Sequence, residues 1–86
     1  MVVSDLKQAL DLIEKGGCKM GPEWDRAHNI AQAHEGKPGF DRLHALIHRI
    51  EGDTSNAAYW YRRAGIKPFS GSFENELTAF LNDLKS

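Results

Sequence analysis

The sequence predicts an all-α protein, a compact bundle of about five helices. Two observations predict it. Apolar residues recur at helical spacing through almost the whole chain, and no stretch alternates with the period of two that a half-buried strand requires. Gly and Pro supply nearly all the punctuation and divide the chain into five segments, with no low-complexity tract or charge block between them.

The first segment runs from about Asp5 to Lys15, with Ser4 as N-cap, Leu6, Ala9, Leu10 and Ile13 as its apolar stripe, and Gly16-Gly17 as its stop. Pro22 suits the first turn of a second helix reaching about Glu35, on which Trp24, Ala27, His28, Ala31 and Glu35 share a face. A short connection, Lys37-Pro38-Gly39, favours an antiparallel neighbour. The third helix spans about Phe40 to Glu51, with Phe40, Leu43, Leu46, Ile47 and Ile50 inward. At ~100° per residue, His44, His48 and Glu51 form a second stripe beside that face, at the edge of the core. Gly52 ends this helix, and Asp53 or Thr54 caps the next. The fourth helix turns Ala57, Trp60, Tyr61 and Ala64 inward, Tyr59, Arg62 and Arg63 outward, and stops at Gly65. After a loop containing Pro68, Ser72 caps a fifth helix that aligns Phe73, Leu77, Phe80, Leu81 and Leu84.

Eighty-six residues are read as one domain, residues 1–86, near the lower limit for burying an adequate core alone, so homo-oligomerisation is a natural expectation. With 41% hydrophobic and 27% charged residues, composition is that of a soluble globular protein. No apolar run approaches the ~20 residues of a membrane span, and Met1-Val2-Val3-Ser4-Asp5 is not a secretory signal. The lone Cys18 fits a reducing compartment, so the cytoplasm is the expected location. A formal charge of -1 argues against nucleic acid and acidic membranes as partners.

From Gly52-Asp53 through Ala57, Tyr61 and Ala64 to Pro68, the chain resembles the second half of a tetratricopeptide repeat, which implies a helical hairpin built from the third and fourth helices. The longer run from Trp24-x-x-Ala27-His28 through His44-Ala45-x-x-His48-Arg49-x-Glu51-Gly52-Asp53 to Asn56-Ala57-x-Tyr59-Trp60-Tyr61 also resembles a group of short, uncharacterised, chiefly bacterial proteins. That second resemblance implies a self-standing domain and no particular activity.

His44, His48 and Glu51 at i, i+4 and i+7 can approach a common ion, and His28 from the neighbouring helix completes three imidazoles and a carboxylate. Such a set suits zinc or another divalent metal. The blander alternative makes the histidines structural boundary residues. Asp53 and Asn56 flank the start of the fourth helix, where free N–H groups favour an anion; capping explains Asp53 equally well. Trp60 would wall a pocket formed by these side chains. Cys18 beside Lys19 fits no nucleophile pattern.

The expected function is thus a small helical binding module for a small polar ligand or a divalent metal. Its site residues are His28, His44, His48, Glu51, Asp53, Asn56 and Trp60, with the three histidines and Glu51 as metal ligands. The alternative is a tetratricopeptide-like protein-interaction module presenting Tyr59 and nearby arginines to a partner. A small metal-dependent hydrolase is a third reading, without a substrate-defining motif to name its reaction.

Overall fold

The structure, a computed structural model, describes residues 2–85. Five helices follow one another: α1 (Val2–Lys15), α2 (Pro22–Ala33), α3 (Pro38–Glu51), α4 (Thr54–Ala64) and α5 (Phe73–Lys85). No strand occurs among the described residues, so the all-α class holds. Three boundaries differ from expectation. α1 begins at Val2 and places Ser4 inside its first turn, because no glycine or proline precedes Ser4 to stop the helix there. α2 ends at Ala33, before Glu35, with the His34 N–H closing the last turn on the Ala31 carbonyl and the Glu35 N–H on that of Gln32. α3 starts at Pro38, whose restricted φ is already helical.

α3 is the element on which the others assemble. Among the described residues it packs against all four other helices, most extensively against α4, whose backbone lies close to α3 alone. Consequently every residue from Leu43 to His48 is buried. One flank of α3 presents Phe40, Leu43, Leu46 and Ile47 to an apolar core shared with Leu6, Leu10 and Ile13 of α1, Trp24 and Ala27 of α2, and Leu77 and Phe80 of α5. The opposite flank places Ala45 in a smaller cluster with Ala57, Trp60 and Tyr61. Alanine on both sides of the α3–α4 contact lets the backbones approach, while the aromatics of α4 fill the space around it.

The turn between α3 and α4 is determined locally. Gly52 adopts φ 89°, the left-handed conformation open to glycine at little cost. Its N–H reaches the Arg49 carbonyl at 3.0 Å and the Asp53 N–H reaches the His48 carbonyl at 2.9 Å, which satisfies the end of α3. Asp53 then accepts from the Asn56 N–H at 3.1 Å and opens α4. Ser72 caps α5 in the same way, accepting from the Asn75 N–H at 3.0 Å. Reversal within two residues is what holds His44 opposite Trp60.

Two polar ties in the interior join the helices. The indole N–H of Trp24 donates to the Ile47 carbonyl at 3.0 Å within the core and sets α2 against α3. Glu76 of α5, 1% exposed, accepts from the Tyr61 hydroxyl and from the Arg49 guanidinium. Arg49 donates a further bond to the Gly71 carbonyl at 2.6 Å. The Glu76 carboxylate therefore joins α3, α4 and α5, and it links α4 to α5 through side chains where their backbones stay apart. Burial and the adjacent carboxylate push the Tyr61 hydroxyl pKa upward, so the phenol remains a donor.

Replacing Glu76 by Leu leaves Arg49 and Tyr61 without their acceptor and is expected to destabilise the protein by about 3 kcal/mol in urea unfolding. Replacing Asp83, which pairs with Arg42 in an exposed setting, by Asn should cost less than about 1 kcal/mol. Equal losses would contradict the role given to Glu76.

Candidate metal site at the seam of α2, α3 and α4

The helical period places His44 and His48 on one line of α3, and α2 crosses that line with His28. The three rings meet. His28 stands edge-on to both others, with centroids 5.4 Å from His44 and 5.4 Å from His48, and the His44 and His48 rings lie parallel at 5.8 Å. Each ring offers a nitrogen within 4.8 Å of the other two. His28 is held by Trp24 one turn before it on α2, at 5.1 Å between centroids, and by Gln32 one turn after, 3.3 Å from its Nε2.

α4 closes the far side. The Trp60 ring lies face to face with His44 at 3.9 Å and 14° between planes. Exposed Tyr59 meets the Trp60 edge, and the Arg63 guanidinium lies 5.0 Å from the Trp60 ring centre. His44 and His48 are accordingly buried, at 2% and 7% exposure, deeper than the core edge the helical stripe suggests. That stripe counts only the apolar face of α3. It does not register that Trp60 roofs the neighbouring one.

Burial is the largest influence on His44. Together with the positive charge that His28 and His48 would carry when protonated, it lowers the His44 pKa to about 4. His28 is lowered by burial and by His48, with Glu51 and Asp25 opposing. At neutral pH the His44 ring is uncharged. Its Nδ1 is buried with no hydrogen-bond partner among the described residues.

Glu51 has a different place from the imidazoles. Its carboxylate sits 2.8 Å from His48 Nδ1, on the solvent side. An ionised carboxylate only accepts, so Nδ1 carries the proton of this hydrogen bond. Glu51 also forms a second group with His48 and Asp53, exposed at both carboxylates, whose ligand atoms again lie within 4.8 Å of one another. Asp53 is engaged as the α4 cap, and Asn56 supplies the capped N–H. The structure thus brings His28, His44, His48 and Trp60 together, sets Glu51 directly behind His48, and leaves Asp53 and Asn56 at the neighbouring turn. His34, the fourth histidine, is elsewhere: it pairs with Asp5 at 3.0 Å and lies against Phe40. Gln32 is the site neighbour the sequence reading missed. Its position four residues after His28 on one helix was the available signal.

No family model, curated protein or solved structure matches the chain.

Stability is expected to depend on pH through His44. An unfolded histidine binds its proton below about pH 6.5, whereas folded His44 does so only near 4, so the unfolded state gains protons first as pH falls. Stability is therefore lost between those values, by up to about 1.4 kcal/mol per pH unit for this group. Urea midpoints across the window should fall less steeply in His44→Gln than in wild type. Parallel slopes would contradict the assignment.

Proposed function

We propose that the protein is a small helical metal-binding module in which His28, His44 and His48 hold one divalent ion, with zinc the best match to three neutral imidazoles. The reading rests on one observation: three histidine nitrogens from two helices lie within 4.8 Å of one another beside a buried His44 Nδ1 that has no protein partner. An unsatisfied buried nitrogen costs about 1–3 kcal/mol, and a bound cation is one means of offsetting that cost.

Ring separations support the same reading. Imidazoles bound tetrahedrally to zinc at ~2.0–2.1 Å have centroids about 5 Å apart, close to the 5.4, 5.4 and 5.8 Å found. Protonation supports it as well. Metal ligation requires an unprotonated ring nitrogen, and the lowered pKa of His44 and of His28 keeps the lone pairs available at neutral pH. Glu51 fits as the carboxylate that orients His48, in place of direct ligation. Three protein ligands leave a fourth position for water or a small polar ligand, which joins the metal and ligand readings in one site.

The test is calorimetric titration of chelator-treated protein with zinc, accompanied by Trp60 fluorescence. One equivalent is expected to bind in wild type and to raise the melting temperature, since saturation at a hundred times Kd adds about 2.7 kcal/mol. His28→Ala, at a half-buried position on α2, and His48→Gln should each fold and lose stoichiometric binding. Folded wild type that takes up no zinc, cobalt or copper would remove the proposal.

A further inference from the structure

The face of α4 turned away from the histidines carries a separate feature. Two depressions, of about 460 and 400 Å³, adjoin there and share Ala58, Tyr61 and Pro68 in their walls. They form one trough between α4 and the segment leading to α5. Among the described residues α4 packs closely along α3 alone, and Ala58 and Gly65 leave its other side low.

The two ends differ in chemistry. At one end Phe69, Phe73 and Tyr61 make an apolar wall, and the one cation present, Arg49, is already neutralised by Glu76. At the other end stand Arg62, Lys67 and exposed Ile66. Neither Arg62 nor Lys67 has an ion-pair partner among the described residues, and no carboxylate lines either depression. In a chain of net charge -1, this is a local excess of positive charge beside an apolar slot.

We infer that this trough docks an acidic peptide segment of another protein, which places a large apolar side chain against Phe69 and Phe73 and its carboxylates against Arg62 and Lys67. Charge complementarity selects the partner: a basic segment would meet unpaired cations, and a neutral one would leave them unused. Two adjoining depressions give room for more than one side chain, which suits a peptide. Burial of the apolar anchor supplies affinity, while the rim charges supply selectivity and salt dependence.

The test uses two labelled synthetic peptides, each with a central Leu-Phe pair, one flanked by glutamates and the other by lysines. Binding is followed by fluorescence anisotropy and by amide shifts of the 15N-labelled protein. The glutamate peptide is expected to bind at least about tenfold more tightly than the lysine peptide, to weaken as salt is raised, and to shift Ala58, Tyr61, Lys67 and Phe69. The exposed pair Arg62→Gln and Lys67→Gln should preserve the helical spectrum and reduce that affinity at least about tenfold. Equal binding of the two peptides, full retention in the double variant, shifts confined to other faces, or no binding of the glutamate peptide would each overturn the inference. Self-association that blocks the peptide and vanishes in the double variant would assign the trough to a second copy and overturn it as well.

Discussion

His44 lies face to face with Trp60 in the contact between α3 and α4, at 2% exposure, and it must lie there uncharged. Much of the fold follows from that contact. The Trp60 ring reaches His44 because the chain reverses within Gly52-Asp53, and the reversal succeeds because glycine accepts a left-handed φ and Asp53 caps the next helix at once. Ala45 and Ala57 keep the two backbones near enough for the rings to meet. A charged imidazole in this place would be desolvated beneath an indole and next to two further imidazoles. The low pKa of His44 states the same constraint in terms of protons.

The burial of α3 on every flank then organises the other helices. Its aliphatic side completes the core with α1, α2 and α5, and its imidazole side forms the seam with α2 and α4. Trp24 serves both. It is buried in the aliphatic core, bonds the Ile47 carbonyl, and supports His28 through its ring. The metal reading grows from this shared role: the indole that orients α2 also sets the imidazole that α2 contributes. The Glu76 carboxylate performs a comparable function on the other side, where it draws Tyr61 and Arg49 together and shapes the aromatic end of the trough.

Sequence periodicity made the five helices legible, since each carries a 3.6-residue apolar stripe and glycine follows the first four. It also made the His44–His48 pair legible, because four residues on a helix are one turn. The depth of those rings was not legible. An imidazole beside the apolar stripe looks like a boundary residue until Trp60, from the next helix, is known to cover it. The convergence of His28 depends on how α2 crosses α3, which no spacing within either helix encodes. Glu76 was hidden for a related reason. It continues the inward stripe between Phe73 and Phe80, but a charge there reads as solvent-facing unless Tyr61 and Arg49, brought from two other helices, are seen to satisfy it.

The measurement that tests the three-imidazole seam most directly is long-range 1H–15N NMR of the histidine rings, recorded at neutral pH before and after one equivalent of zinc. The account predicts an N–H on His48 Nδ1, directed at Glu51, and ring-nitrogen shifts on zinc addition in His28, His44 and His48 with His34 unmoved. A bare Nδ1 on His48, or zinc shifts that centre on His34 or spare His44, would contradict it.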